Sequence, residues 1–369
     1  MPLRSSLLAV LVAVVWGVNF VVIDLGLGDM PPTLFVALRF LVVLVPAIFL
    51  VPRPRARWRD VLLVGTFMSL GQFGLLYTAL AIGMPAGLAS LVLQAQVGLT
   101  VLFAAAALRE VPTRAQLLGV LVGAAGLVVV GVGRSASTPA LAFVVTLAAA
   151  ASWAVGNVIA RGAGRRDHGS PSADRGSPSA DQGSPSAEQG SRSRPGLDGL
   201  SMTVWSALVV PVPMLGLSLA LDGPDAVGHA LTHLTLAPVL STLYTAWLAS
   251  LVGYGIWNTL LARYPASAVV PFTMLVPPVG MLAAWVVLDE VPNTAELVGG
   301  AVLLLGVATT TGVLRRRPPR GVIIPHAPDA EPGVVAPHTA EPGDVPGFDG
   351  APDSSPGFRD QGATRARSR

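Results

Sequence analysis

The chain has 369 residues, of which 52% are hydrophobic and 12% are charged, and its mean hydropathy of +0.64 is too high for a soluble globular protein of this size. All 24 basic residues are arginine and there is no cysteine, which excludes disulfides, thiolate metal sites and cysteine nucleophiles. The sequence pI of about 9.9 does not require a nucleic-acid partner, because the arginines lie in short segments between apolar runs.

Ten apolar segments are each long enough to cross a bilayer as a helix, which takes about 20 residues for about 30 Å of hydrocarbon. In chain order, the predicted spans cover residues 6–25, 32–51, 60–80, 86–107, 115–133, 139–161, 200–221, 236–261, 267–288 and 295–314. The alternating segments of a membrane barrel are absent from the sequence. We therefore predict an all-α integral membrane protein, and we expect its first span to be retained because no signal-cleavage motif follows it.

Two segments have the composition of disordered chain. Residues 163–199 contain a seven-residue unit that recurs as DHGSPSA, DRGSPSA, DQGSPSA and EQGSRSR, and residues 318–369 are rich in proline, glycine and acids. Neither segment has enough apolar surface to fold alone. We predict a disordered linker and a disordered cytoplasmic tail, and we expect both to be dispensable for activity.

The arginines in the loops predict the orientation of the spans. The loops after the second, fourth, sixth and eighth spans, and the end of the tenth, hold nearly all of the flanking arginine. The loops after the first, third, seventh and ninth spans hold none, and the loop after the fifth holds only Arg134. Because arginine-rich loops stay on the cytoplasmic side, both termini are predicted to be cytoplasmic, in a multi-pass protein of the plasma membrane.

A nearly identical phrase occurs twice, as LREVPTRAQLLG from residue 108 and as LDEVPNTAELVG from residue 288. At the same offset of 180 residues Gly119 matches Gly299, and near the front of each copy VVWGVNFVV resembles ASWAVGNVIA. The chain therefore consists of two copies of a five-helix unit. Because five is odd, the second copy is inverted in the membrane, which explains why Arg109 becomes Asp289. Inverted repeats are typical of alternating-access transporters with a site at the repeat interface.

The ten-span layout, WGVNF in the first span, ALRF in the second, LREVPT after the fourth and WAVGN in the sixth resemble the EamA-type family of the drug/metabolite transporter superfamily. The likeness covers about residues 5–315 without the linker. It implies ten transmembrane helices in two inverted five-helix repeats. It also implies transport of small solutes, often export of amino acids or related metabolites, from a central cavity lined by both halves.

Five domains follow from the repeat and the resemblance. The predicted boundaries are 1–134 for the first EamA-like five-helix repeat, 135–162 for the first helix of the second, 163–199 for the linker, 200–317 for the remainder of the second repeat and 318–369 for the tail.

Two charged residues stand out in the first two spans. Arg39 lies well inside the second span, where burying a charge costs roughly 2.5–3.5 kcal/mol. We predict that it binds a solute carboxylate, with a snorkelling or structural arginine as the alternative. Asp24 is a candidate for proton coupling or for a gate, alone or paired with Arg39, and a solvated acid near the outer surface is the alternative.

Two tryptophan and asparagine pairs occupy corresponding spans, Trp16 with Asn19 and Trp153 with Asn157. An amide offers two donors and an acceptor, so the asparagines are predicted to bind the ammonium and carboxylate groups of a zwitterion. Hydrogen bonding between helices is the alternative role.

The fourth and ninth spans contribute further candidates. Gln94 and Gln96 lie about 200° apart on an ideal helix, so only one of them, taken as Gln94, is expected to line the pocket. Pro271 and Pro277 remove amide donors and bend the ninth span, which frees carbonyl groups for a substrate. Simple packing is the alternative reading of these prolines.

Spans three and eight carry polar and aromatic residues at matching depths. The aromatic side chains would wall the pocket or, alternatively, anchor the helices at the membrane interface. These substrate-binding candidates are Gln72, Tyr77, Tyr254, Trp257 and Asn258.

A metal site is not predicted. His229 and His233 are four residues apart in an outer loop, but no carboxylate or cysteine completes a ligand set. No cofactor is expected. Gly119, Gly123 and Gly126 form a small-residue face on the fifth span, which favours close helix packing.

The predicted function is secondary transport, with export of small metabolites such as amino acids or related compounds by alternating access at the repeat interface. An importer of small solutes and a non-transporting membrane receptor or scaffold are the alternatives. No G-x-S-x-G, H-E-x-x-H or phosphate-loop motif is present, so no enzymatic activity is predicted. The expected partners are a small-molecule solute and the lipid bilayer, without nucleic acid, and a homodimer is left open.

Overall fold

A computed structural model describes residues 1–168 and 195–313, except for residues 29 and 55. Within these ranges ten helical segments are long and apolar enough to cross a membrane, and no β-strand is formed. In chain order, α1 to α10 are Leu3–Leu27, Pro32–Leu50, Trp58–Ala81, Ala86–Leu108, Arg114–Gly133, Ala140–Ala163, Leu200–Leu221, Leu236–Arg263, Val270–Leu288 and Thr294–Thr311. The predicted fold class is confirmed, and the span boundaries agree with the prediction to within a few residues.

The fifth helix of each repeat begins with the same cap at corresponding positions. At the start of α5, the Thr113 side chain accepts a hydrogen bond from the Gln116 amide, and Gln116 Oε1 accepts one from the Thr113 amide at 2.8 Å. At the start of α10, Asn293 and Glu296 form the same reciprocal pair, at 2.9 and 3.0 Å. A side chain three residues into a helix thus satisfies an amide that the helix leaves free. The repeated phrase encodes this cap.

The two repeats interlock rather than lying side by side. The first helix of each repeat packs against the third and fourth helices of the other: α1 contacts α8 and α9, and α6 contacts α3 and α4. The second helices, α2 and α7, contact each other, as do the fifth helices, α5 and α10. Exchanging the two repeats converts each of these contacts into itself or into another contact of the same set, which is the packing expected of an inverted duplication.

The contact between α5 and α10 is close because glycines meet across it. A Cβ added at Gly119 would lie 2.7 Å from the Gly306 carbonyl oxygen, and one at Gly126 would lie 2.6 Å from the Gly299 carbonyl oxygen. Glycine is the residue that lets two backbones approach to this degree in a membrane. The prediction that the glycine face of α5 serves helix packing is therefore confirmed.

Five of the helices are irregular: α7 contains a 3₁₀ turn at Ala207–Val209, and the other four are irregular at corresponding positions of the two repeats. A π-helical segment covers Gly65–Gly71 in α3 and Tyr244–Val252 in α8. The helix of α4 is interrupted between Val92 and Ala95, and α9 begins with the 3₁₀ segment Val270–Leu275. Such irregular turns leave carbonyl groups without their usual partners and are frequent at functional sites.

The helices of α6 and α7 extend beyond their apolar cores toward the predicted linker. The helix containing α6 runs from Ala140 to His168, and the helix containing α7 begins at Pro195. The remainder of the predicted linker, residues 169–194, and the predicted tail, residues 318–369, lie outside the described residues.

The lipid-facing surface is apolar, as a bilayer requires. Large hydrophobic side chains on the spans are strongly exposed, including Phe49, Val132 and Val212. A soluble protein rarely exposes a surface of this kind, whereas lipid solvates it. The core between the helices contains the fully buried aromatic residues Phe35 and Tyr77.

Candidate functional site

A cavity of about 210 Å³ lies between the two repeats and is lined by both. We call it the central cavity. Eight of the thirteen predicted substrate-binding residues line it: Trp16, Asn19, Arg39, Gln72, Gln94, Trp153, Tyr254 and Trp257. Their binding role remains a prediction.

Arg39 is the buried cation of the central cavity, with 3% of its surface exposed. Its Nη1 donates to the Tyr77 hydroxyl at 3.1 Å, and its Nη2 donates to Ser250 Oγ at 3.2 Å. Its guanidinium carbon lies 4.1 Å from the centre of the Phe73 ring. The Arg39 Nε group is buried and has no hydrogen-bond partner. The charge is thus held by neutral groups, and the Nε donor is unused.

No carboxylate within the described part of the chain forms an ion pair with this cation. Among the described residues, the single ion pair joins Arg161 to Glu110 at 3.1 Å. Asp24 is partly buried near the end of α1, and the charged group that interacts with its carboxylate is Glu290. The Asp24–Arg39 pairing considered from the sequence is therefore not formed, and a coupling or gating role for Asp24 remains a prediction.

Asn19 provides an unused acceptor in the same cavity. Its side chain is 8% exposed, and its Oδ1 atom is buried without a hydrogen-bond partner. A buried polar atom without a partner costs about 1–3 kcal/mol, so its persistence requires an explanation. A vacant acceptor and a vacant cationic donor on one cavity are complementary to a solute that carries both charges.

Three aromatic rings lie close together on the wall of the central cavity that Asn19 also lines. Trp16 lies 5.1 Å from Tyr254 and 5.3 Å from Trp257, measured between ring centroids. Trp16 Nε1 donates to the Ala249 carbonyl at 2.9 Å. The π-helical segment of α8 includes Ala249, so the first helix of one repeat binds irregular backbone of the other.

The same arrangement recurs on the other side of the repeat axis. Ser152 on α6 donates to the Phe67 carbonyl at 2.7 Å, within the π-helical segment of α3. Both π-helical segments therefore place a carbonyl against the first helix of the opposite repeat. Sequence reasoning missed these segments, the cavity-lining residue Ala249 and the Arg39 partner Ser250, because no local pattern marks a π-helical turn.

Gln94 and Gln96 both line the central cavity, so the prediction that only one of them does so is wrong. The prediction assumed a continuous α-helix. In the structure α4 is interrupted here, and the Gln94 and Gln96 amides donate to carbonyls three residues back, those of Leu91 and Leu93. This tighter turn rotates the two side chains toward each other.

A second cavity of about 480 Å³ adjoins the first, and we call it the vestibule. Gln96 lines both cavities, while the predicted residues Asn157 and Pro271 line the vestibule instead of the central cavity. Asn157 Nδ2 donates to Gln96 Oε1 at 3.0 Å and lies 3.3 Å from Thr100 Oγ1. Asn157 thus holds the side chain that separates the two spaces.

Three further candidates lie off the central cavity. Tyr77 is completely buried and does not line the central cavity. Its hydroxyl accepts a hydrogen bond from Arg39, and its ring packs edge-on against Phe35 with the ring centroids 5.2 Å apart. Asn258 is partly buried, and its Nδ2 group has no partner. Pro277 is buried in the first turn of the regular part of α9. These residues support the cavity wall or lie behind it.

The outer histidines form a stacked pair. His229 and His233 lie with ring centroids 4.2 Å apart, at the end of a short helix that spans Pro224–Thr232. Among the described residues, no group of three histidine, aspartate or glutamate side chains is arranged to hold a metal ion.

Comparison with known proteins identifies the family. The model of the EamA-like transporter family matches residues 3–132 and 190–312. The chain belongs to the EamA-like transporter family. It is therefore a transporter of small molecules and a multi-pass membrane protein, and the resemblance stated from the sequence is confirmed.

Two relatives and one solved structure extend this result. A protein of Salmonella typhimurium named "Probable amino-acid metabolite efflux pump" is 40% identical over 309 residues, covering 83% of this chain and 94% of its own length. A protein of Escherichia coli with the same name is 37% identical over 319 residues, covering 86% and 98%. A crystal structure with 19% identity covers 84% of this chain and 97% of its own, with a TM-score of 0.52, and shares the fold.

Proposed function

We propose that this transporter exports amino acids or closely related zwitterions by alternating access at the repeat interface. The proposal rests on two buried polar groups that have no hydrogen-bond partner and whose residues line the same cavity. They are the Arg39 Nε donor and the Asn19 Oδ1 acceptor. The guanidinium group would bind the solute carboxylate through charge-assisted hydrogen bonds. The Asn19 oxygen would accept from the solute ammonium.

The aromatic wall supports the same assignment. Trp16, Tyr254 and Trp257 line the cavity beside Asn19. Aromatic faces attract cations, and the attraction strengthens where water is excluded. An ammonium group bound to Asn19 would therefore gain a second source of stabilisation, which a neutral solute lacks.

The size and the remaining lining of the cavity favour a small solute with an apolar side chain. About 210 Å³ is less than the roughly 300–1,000 Å³ of pockets that hold drug-sized ligands. Phe20, Leu76, Leu93 and Trp153 contribute apolar surface. A single amino acid such as leucine fits this description better than a peptide or a sugar.

The direction of transport is proposed as export. The relatives from Salmonella typhimurium and Escherichia coli are named as efflux pumps, which supports this direction over import. The distribution of loop arginines supports a plasma-membrane protein with both termini in the cytoplasm. A receptor or scaffold remains the second candidate function, but it gives no reason for an inverted duplication.

Exchange of labelled leucine in proteoliposomes tests this function. Unlabelled leucine should compete with the labelled amino acid. Its decarboxylated amine and its des-amino acid should compete at least tenfold more weakly, because each lacks one of the two charges. Equal competition by either analogue, or no exchange with any amino acid, would contradict the proposal. Overexpression should raise the tolerance of cells to a toxic analogue if the direction is export, and lower it for import.

A further inference from the structure

Glu290 connects the two repeats at one end of the central bundle. It lies two residues beyond the end of α9, and its carboxylate reaches the first turn of α4 in the other repeat. Oε1 accepts from the Ala86 amide at 2.9 Å, and Oε2 accepts from the Gly87 amide at 3.0 Å. These amides belong to the group that a helix start leaves without internal partners. One side chain therefore supplies two charge-assisted hydrogen bonds between elements that are distant in sequence.

The backbone around Glu290 fixes the carboxylate in this position. The preceding residue, Asp289, has φ of 56° and turns the chain sharply at the end of α9. The cap formed by Asn293 and Glu296 then fixes the start of α10. Gly87 allows close approach, since a Cβ there would lie 3.0 Å from the Met281 Cα atom of α9. The backbone turn at Asp289 and the cap of α10 therefore position Glu290, and close packing at Gly87 positions the start of α4.

The first repeat has the same local geometry with a different partner. Glu110 lies 180 residues before Glu290, and the preceding Arg109 has the same left-handed backbone, with φ of 52°. Glu110 pairs with Arg161 at 3.1 Å, and the Arg161 side chain is 48% exposed. The two corresponding glutamates therefore make different contacts, an ion pair with Arg161 at Glu110 and two hydrogen bonds with helix-start amides at Glu290.

The cavity beside Arg161 and the cavity beside Glu290 also differ in how they relate to the central cavity. Toward Arg161, the vestibule adjoins the central cavity and shares Gln96 with it. At the other end, a cavity of about 290 Å³ beside Glu290 has no lining residue in common with the central cavity. In this conformation a lining residue of the central cavity also lines the vestibule on the Arg161 side, whereas the α4–α9 contact lies on the other side, where no lining residue is shared.

We infer that Glu290 is a gating residue of the transport cycle, which closes one face by holding α4 against α9. Release of its two hydrogen bonds frees the start of α4 and opens the central cavity toward that face. This inference rests on the proposed alternating-access function and identifies the contact that must break during it. Under the proposed orientation, the face that Glu290 closes is the extracellular one.

The absence of cysteine from the chain provides a direct test. A single cysteine at Ala249, which lines the central cavity, is labelled with a charged thiol reagent applied to each side of sealed vesicles. In E290Q the amide keeps one acceptor oxygen, loses the charge and directs N–H donors at a helix start. We expect labelling from the Glu290 face to become about tenfold faster than in the parent, and labelling from the opposite face to become slower.

Glu110→Gln is the matched control, because it changes the corresponding residue of the other repeat. It should leave the labelling rate from the Glu290 face within about twofold of the parent, since Glu110 pairs with Arg161 and not with the start of α4. A merely structural role for Glu290 would lower the melting temperature without changing the two faces in opposite directions.

A parental labelling rate in folded E290Q would overturn the inference. If E290Q fails to fold, the same labelling measurement on Glu290→Asp tests the inference. The shorter aspartate side chain keeps the charge but reaches at most one of the two amides. It should give an intermediate rate, and a parental rate there would also overturn the gate. Labelling needs no transported solute, so this outcome is independent of leucine exchange, whose failure would instead contradict the proposed function.

Discussion

The α5–α10 contact and the central cavity are both built from corresponding positions of the two repeats, yet they have opposite chemistry. At the contact, regular helices meet through glycine backbones, with Gly119 against Gly306 and Gly126 against Gly299. At the cavity, four interrupted helices surround buried polar groups. Symmetry is kept where the helices only need to pack.

At the cavity the symmetry is not kept, and the difference in charge arises at Arg39. Arg39 on α2 has no counterpart on α7, because Leu200–Leu221 contains no charged residue. Two identical halves would present two identical cavity walls, and a solute with unlike ends could not distinguish them. The lone cation gives the cavity a polarity, which is what a zwitterion requires.

The largest effect is expected at Arg39. Arg39→Ala removes the cation and should lower leucine exchange by at least about 100-fold, since a charged hydrogen bond contributes roughly 1.5–3 kcal/mol and Arg39 would make more than one. Arg263→Ala, at the exposed end of α8, is the control and should transport normally. Near-parental exchange by a folded Arg39→Ala protein would reduce Arg39 to a packing role.

The glycine contact should respond in stability rather than in substrate affinity. A Cβ at Gly306 would lie 2.6 Å from both the Gly119 carbonyl oxygen and the Gly123 Cα atom, and backbone atoms cannot move aside. Gly306→Val should destabilise the protein by about 1–3 kcal/mol or more and lower its melting temperature by several degrees. Gly216→Val, with open space around it, is the control. Equal melting temperatures for the two variants would show that the contact does not matter.

Asn19→Ala should weaken binding without abolishing it. Loss of one acceptor for the solute ammonium should raise the KM for leucine about tenfold and leave the maximal rate less affected. Asn258→Ala removes another amide with a vacant buried atom that does not line the cavity, and it should have no effect on KM. A similar rise in KM for both variants would indicate a general loss of packing.

The smallest effect is expected at the vestibule. Asn157→Ala releases Gln96 but leaves the cavity charges intact, and an interhelical hydrogen bond in a membrane contributes about 0.6 kcal/mol. Exchange should therefore change by no more than about threefold. A loss as large as that of Arg39→Ala would place solute contact at Asn157, as the sequence-based hypothesis had it.

Much of the fold could be predicted from the sequence, because bilayer thickness fixes the length of an apolar helix and the offset of 180 residues reveals the duplication. Glycines spaced along α5 likewise predict close packing. The interruption at Gln94 could not be predicted, since an ideal helical period assigns Gln94 and Gln96 to different faces. The π-helical segment that brings Ala249 to the cavity and Ser250 to Arg39 leaves no mark on apolar periodicity.

Some residues of the candidate site could likewise be predicted from the sequence, and others could not. Residue type and depth identified Arg39 and Asn19, because a buried charge or amide is costly in a membrane whatever surrounds it. Whether Tyr77 lines the cavity or lies behind Arg39 depends on side-chain packing between helices. The contact of Glu290 with α4 depends on how the two repeats interlock, which no local pattern records.

The antiparallel arrangement of the two repeats is tested most directly by labelling Val111 and Val291. These residues correspond at the offset of 180, both are strongly exposed, at 92% and 72%, and the native chain has no competing thiol. Single cysteines at the two positions should react with an impermeant reagent from opposite faces of sealed vesicles. Reaction of both cysteines from the same face would contradict the inverted duplication and the alternating-access mechanism built on it.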